Sequence, residues 1–466
     1  MRAGIHRAGP QAGRISRSCR NRTLPCLSRS PGGPTRGRWT AVAVKRGFDA
    51  IVVGAGIAGT ASAYYLRQAG FSVALVDMHH PGWGASGRNP GFLWLQTKAA
   101  GLAMDFSLAG RRFAETLAGE MPDFGFRASG GLITWRDDVF EPVVRAFVAD
   151  RVAAGLPVSL LDRPALRDLC PDISPEVSGA VWNPLDAHQD TRLLVRHLAD
   201  AFQDGGGSIV APARIASLVL TGSTCRGVRL ADGAEIESGV VVVAAGPWSN
   251  LLLEPLGLGI SSTPTRFEAA ETAPAPFRIK PVISGQSLFR FFTPPGIDAT
   301  SLPREPVELL RPELGFTGQI ASFPDGSLQF GCAYEIGSDD DRATVAGQAM
   351  ACSIMSRNFQ AMASLPILRQ WAGIVAQTPD GLPFIDAASG PEGLILNTGH
   401  FFGNLAGAFS GRIVAQLASG QELVYPVEGF SRRRFTGGDH VAWGRDVGRN
   451  DPTGRKHADK DFQGRV

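Results

Sequence analysis

The chain has 466 residues, 44% hydrophobic and 19% charged, a balance that buries a sizeable core and supports two or three cooperating domains. Its formal net charge of +3 conceals an asymmetry: residues 1–46 carry eleven Lys or Arg and no acid, leaving 35 bases against 43 acids elsewhere, near −8. That mildly acidic body lacks the broad basic footprint of a nucleic-acid binder, and no apolar run approaches the roughly 20 residues that span a bilayer.

The basic start admits two readings, an organellar transit peptide or a disordered extension over residues 1–47 that includes a start assigned too far upstream. Pro10, Pro25, Pro31 and Pro34 interrupt the amphipathic helix that import requires, so the extension is favoured and with it a cytoplasmic location, mitochondrial being the alternative. The six cysteines, Cys19, Cys26, Cys170, Cys225, Cys332 and Cys352, show no paired or metal-like spacing and read as reduced thiols, the last four as small apolar core residues.

Asp49–Val53 reads as a short buried strand, Ile57–Ala69 as a helix closed by Gly70, and Phe71–Val76 as a second strand. Helical patterns follow near 99–118 and 139–153, with Gly131–Trp135 as a strand between them. Short strands dominate 208–243, and Pro324-Asp-Gly326 predicts a hairpin turn. A helix near 341–362, strands at Trp371–Ala376 and Leu394–Asn397, and a last helix over Asn404–Ala418 complete the body; residues 436–466 read as a disordered tail.

The first strand runs directly into Gly54-Ala55-Gly56-Ile57-Ala58-Gly59, which opens a helix. The first glycine makes the tight turn, the second lets the backbone approach a pyrophosphate, and the third lets helix and strand pack closely. The helix N-terminus adds free N–H groups and partial positive charge. Asp77, ending the second strand beside Met78, places a carboxylate where it accepts from ribose hydroxyls and repels a 2′-phosphate, so an adenine dinucleotide other than NADP is expected.

The next loop, Gly82-Trp-Gly-Ala85-Ser86-Gly87-Arg88-Asn89-Pro-Gly91, resembles the D-amino-acid oxidase-like family of FAD-dependent oxidoreductases, whose members include glycine oxidase, sarcosine oxidase and bacterial D-amino-acid dehydrogenases. The resemblance extends from about Phe48 to Phe435 through Ile215, the buried strand ending Ala245-Gly246-Pro-Trp248, Trp371–Pro383 and Gly399-His400-Phe401-Phe402-Gly403. It implies an α/β fold: a Rossmann-like FAD-binding domain from 48–97, 160–262 and 371–435, interleaved with an antiparallel-sheet substrate domain from 98–159 and 263–370. It also implies that Ser86, Arg88 and Asn89 touch the cofactor, that the backbone of Ile215 meets the adenine, and that Gly403, Asn404 and Leu405 point a helix N-terminus at the flavin pyrimidine.

In such a family an amine or an N-substituted or D-amino acid gives a hydride from its α-carbon to flavin N5, and the imine is hydrolysed. FAD is expected to be non-covalent, because Arg88 occupies the position of a tethering histidine and no cysteine follows Cys352. Oxygen and quinone remain alternative acceptors, and a non-catalytic FAD-binding assembly factor is the rival reading. His400 is the titratable candidate for catalysis, with a structural role as its alternative. Substrate candidates are Arg290 and Tyr334 with Phe401 and Phe402, which stand where several relatives carry a carboxylate-binding arginine.

Overall fold

In the computed structural model, which describes residues 47–294, 296–387 and 389–435, the run Ala50–Val53 is fully buried, as an all-apolar strand is within a parallel sheet. The basic extension over 1–46 and the polar tail over 436–466 lie outside the described residues. Gly47–Val53 pairs in parallel with Val73–Val76 on one side and Glu235–Val243 on the other. Ser208–Val210 extends the first side and Leu394–Thr398 the second, with Phe384–Asp386 antiparallel outside it. Strand order therefore reverses at Gly47–Val53, and open parallel sheets bind ligands beyond their strand ends at such a reversal.

Helices Ile57–Gln68, Thr191–Asp204 and Gly403–Ser419 pack with this sheet into one apolar core. The first and last of them approach backbone to backbone: a Cβ on Gly411 would stand 2.6 Å from Ser62 N. Helix Thr191–Asp204 has no counterpart in the sequence reading. Its signals were local, since Asp190 caps it by accepting from Arg192 N–H at 2.9 Å, and Leu194, Leu198 and Phe202 recur at helical spacing on its buried face.

The second sheet runs in the order Ile367–Gln377, Thr263–Thr272, Leu328–Ile336, Gly315–Ser322, Val282–Ser284, Gly131–Trp135, Gly179–Asn183 and Ser159–Leu161. The Pro324-Asp-Gly326 turn joins two of these antiparallel strands, and Asp325 Oδ1 accepts from Ser327 N–H at 3.0 Å. The sheets divide the chain differently from the expected boundaries at 160 and 371. Gly179–Asn183 pairs with Gly131–Trp135, and Ile367–Gln377 runs the length of Thr263–Thr272, so both belong to the second sheet. Register between strands distant in sequence decides this, and local composition does not encode it.

Among the described residues, no helix is long and apolar enough to cross a membrane. Cys170, Cys225 and Cys332 are buried free thiols as expected of core residues, while Cys352 is only half-buried.

Candidate active site

Gly54 adopts φ +101°, a conformation glycine alone takes readily, and a Cβ there would stand 2.5 Å from Ala244 O. A Cβ on Gly59 would run into Gly54 O, so the third glycine serves the packing of helix on strand. The N-cap, Gly56, brings no capping side chain to helix Ile57–Gln68; instead Ser86 Oγ accepts from Ile57 N–H at 2.9 Å and ties the next loop to the helix start. Asp77 accepts from Ala55 N–H at 2.6 Å and His79 N–H at 2.7 Å. Burial pushes its carboxyl above the usual range, against the pull of those two N–H groups.

The final helix presents a second uncapped N-terminus, since its N-cap is Phe402. Asn404 fixes that first turn: its side-chain amide donates to Phe92 O, and its own carbonyl accepts from Gln189 Nε2 at 2.7 Å. His400 Nε2 lies 2.8 Å from Asn397 Oδ1 and 3.3 Å from Ser410 Oγ, and Asn397 Nδ2 donates to Ser62 Oγ at 3.0 Å. The imidazole thus joins the turn before the last helix to both helices. Burial lowers its pKa to about 4, so it is neutral at pH 7.

Both helix starts open on one cavity of about 1290 Å³, above the roughly 300–1,000 Å³ of common small-molecule pockets. Its wall includes Gly54 to Ala58, Asp77, Met78, Ala85, Ser86, Asn89, Ile215, Ala245, Gly246, Trp248, His400, Phe401, Gly403 and Asn404. A backbone cradle, a carboxylate at the end of the second strand and two helix N-termini aimed into one space suit a long ligand with a central diphosphate and a second acceptor group at its far end. FAD meets that description.

Seven expected contacts lie off this wall. Gly59 and Gly87 are packing positions, a Cβ on Gly87 running into Gly82 O. The Leu405 side chain is buried in the core beside Phe92 and Trp94. The Arg88 guanidinium donates to Asp341 Oδ2 and to Ala372 O, both at 2.9 Å, and lies over the Trp83 ring, so it braces the loop and does not face the cavity. Arg290 is ion-paired with Glu308 and donates to Pro303 O at 2.6 Å, which removes it as a carboxylate clamp. Tyr334 packs at a tilt against Phe267 and edge-on against Phe291, and Phe402 meets Phe401 edge-on beneath Lys98.

The sequence reading missed Lys98, Phe267, Phe291 and the segment Asp339–Arg342, which enters the cavity wall from the second sheet's side. Lys98 alone carried a signal, as the one charged residue between Phe92 and Ala100. Phe267 comes beside Phe401 from a strand and Phe291 from the short helix Leu288–Phe291, both distant in sequence.

A dinucleotide cradle on a parallel sheet, with a second sheet contributing to its cavity wall, defines a flavoprotein class of oxidoreductase. The family model described as FAD dependent oxidoreductase matches residues 49–417, and the chain belongs to that family. Relatives include the D-amino acid dehydrogenase of Rhizorhabdus wittichii, 26% identical over 80% of this chain and 96% of that protein. The glycine oxidase of Geobacillus kaustophilus is 23% identical over 84% of this chain and 98% of its own. The crystal structure of glycine oxidase from Geobacillus kaustophilus superposes with a TM-score of 0.72 at 21% identity, covering 84% of this chain and 99% of that one, which shows a shared fold.

Proposed function

We propose that this chain oxidises an amine or an N-substituted or D-amino acid at the carbon next to nitrogen, working in the cytoplasm with a non-covalent FAD. The observation that carries the reading is the single cavity that joins the glycine cradle to the uncapped start of the final helix. Names of the relatives above supply the amine class, and free thiols suit a reducing compartment.

In this reading Gly54 to Ala58, Ser86 and Asn89 line the diphosphate and Asp77 takes the ribose, with Met78 and Ile215 at the adenine end. Ala245, Gly246 and Trp248 flank the dinucleotide, and Gly403 and Asn404 face the pyrimidine. Bound FAD supplies a two-electron acceptor for the hydride. The helix start at Gly403 stabilises negative charge as it develops at that end. His400, neutral and engaged by Asn397, acts as a positioning residue. The amine reacts unprotonated, and water hydrolyses the imine.

Anaerobic mixing of the yellow protein with D-amino acids, N-methyl amino acids, opines and simple amines tests this. Bleaching of the flavin band by a nitrogen compound is expected. Failure of the whole panel to bleach it favours the non-catalytic FAD-binding factor, and colourless protein with no extractable FAD refutes both. Reoxidation by air against reoxidation by a quinone then distinguishes the acceptors.

A further inference from the structure

Phe401, at the cavity wall, belongs to a cluster of rings drawn from four separate segments. Its centroid lies 5.8 Å from Phe267, 6.1 Å from Phe291 and 4.6 Å from Phe402. Tyr334 joins Phe291 at 4.8 Å and Phe267 at 5.5 Å. Phe267 and Tyr334 keep part of their surface accessible although both stand on inner strands of the second sheet.

Most of the charges around these rings are already matched; Arg304, whose charge also reaches Tyr334, is exposed and donates to Pro312 O at 2.6 Å. Arg266 pairs with Glu335 at 2.6 Å, Arg342 with Asp340 at 2.6 Å and Arg88 with Asp341 at 2.9 Å, while Arg290 pairs with Glu308. Lys98 is buried with Nζ 2.8 Å from the centroid of the Phe402 ring, and burial holds its amine well below the usual lysine range. Among the described residues, the cavity wall carries four aspartates, Asp77 and Asp339 to Asp341, against two arginines, Arg214 and Arg342. Arg214 sits next to Ala213, whose N–H donates to Asp77 O, and so belongs to the cradle and not to the rings.

We propose that the site takes amines with an aromatic or otherwise apolar body and no carboxylate next to the nitrogen. The inference rests on the amine oxidation proposed above and narrows its substrate class. A carboxylate among these rings would lose its hydration without gaining a guanidinium. Ring faces are negative and attract N–H groups. The substrate loses one hydride to FAD and one N–H proton to solvent; the resulting C=N takes up water and separates into a carbonyl compound and ammonia or a smaller amine.

The test uses the FAD-loaded protein and two compounds that differ by one group, N-methyl-2-phenylethylamine and N-methylphenylalanine, the latter as both enantiomers. Anaerobic bleaching is expected to be at least about ten-fold faster with the acid-free amine, the lower bound for a missing charge-assisted hydrogen bond. Binding is read separately by titrating the oxidised flavin spectrum with α,α-dimethylphenethylamine, which has no hydrogen on the carbon next to nitrogen to give up, and with phenylacetate, the amine being expected to perturb the band at lower concentration. Phe401→Arg, which adds a guanidinium at the wall, is expected to move both preferences toward the acid. Faster bleaching by N-methylphenylalanine, or tighter binding of phenylacetate, overturns the substrate class and leaves amine oxidation standing. Bleaching by no nitrogen compound overturns both.

Discussion

Around Gly54 to Ala58 the cavity wall is main chain, held by glycines whose neighbours stand too close for a side chain. Around Phe401 it is side chain, backed by rings that stand behind the wall on strands Thr263–Thr272 and Leu328–Ile336 and on the helix Leu288–Phe291. Main chain offers N–H groups to any diphosphate and tolerates only small residues, so that wall is specified by one contiguous motif. Rings come from segments distant in sequence, so no contiguous motif specifies the second wall.

The contrast breaks most visibly at Gly59. Gly59→Val drives two methyl groups toward Gly54 O, and we expect protein that purifies without flavin and loses about 1–3 kcal/mol or more of stability, read from the flavin absorbance and Tm. Phe267→Leu, behind the other wall, is expected to keep a full complement of FAD. Equal flavin loss in both variants would end the distinction between the walls. Asp77→Asn comes next. Loss of a charged acceptor worth about 1.5–3 kcal/mol predicts FAD binding weaker by about 10- to 100-fold, measured by titrating stripped protein with FAD.

The same contrast governs what the sequence made legible. Strand, glycine turn, helix and acid lie within thirty residues of one another, from Asp49 to Asp77, and each names its own role by residue type. Family resemblance carried the reading onward to Ser86, Asn89, Gly403 and Asn404, which line the cavity. The resemblance did not place Arg88, nor did the residue reading place Arg290, because a guanidinium's partner is chosen by tertiary structure: Asp341 and Glu308 reach them only once the second sheet is built. Phe267 and Phe291 carried no signal at all, since an aromatic residue within an apolar strand or turn reads first as core.

His400 sits where the two walls meet and supplies a test that uses pH. Its folded pKa of about 4 lies below the ordinary 6.5, so its contribution to stability is complete above about pH 6.5. Below that the unfolded chain binds a proton that the fold refuses, and the contribution falls by up to about 1.4 kcal/mol per pH unit until about pH 4. His188, lowered to about 3, acts in the same direction, whereas Asp186, raised to about 7, is protonated in the fold and acts oppositely. The difference between wild type and His400→Asn isolates one proton: denaturant unfolding should show a constant gap above about pH 6.5 that shifts in the variant's favour on acidification. A positioning role also requires the kcat/KM profile of the variant to keep its shape; loss of a limb would make His400 a proton-transfer group instead.

The smallest expected effect asks whether the side-chain wall also helps to retain the cofactor. Asp341 enters the cavity wall from the second sheet and meets Arg88, which belongs to the loop that Ser86 ties to the cradle. Arg88 keeps two further anchors, Ala372 O and the Trp83 ring, and its own carbonyl accepts from Trp371 Nε1 at 2.8 Å. Asp341→Asn therefore removes only a pair that is partly exposed, 19% on the arginine side and 45% on the aspartate side. Such pairs contribute about 0.2–1 kcal/mol, so FAD release, followed by the recovery of free-flavin fluorescence, should quicken by no more than about five-fold. Release from the wild type should also quicken as salt screens the pair, and release from the variant should lose that part of its salt dependence. If the two proteins release FAD at the same rate at every ionic strength, the cofactor is held by the main-chain wall alone, and the second sheet bears only on the substrate.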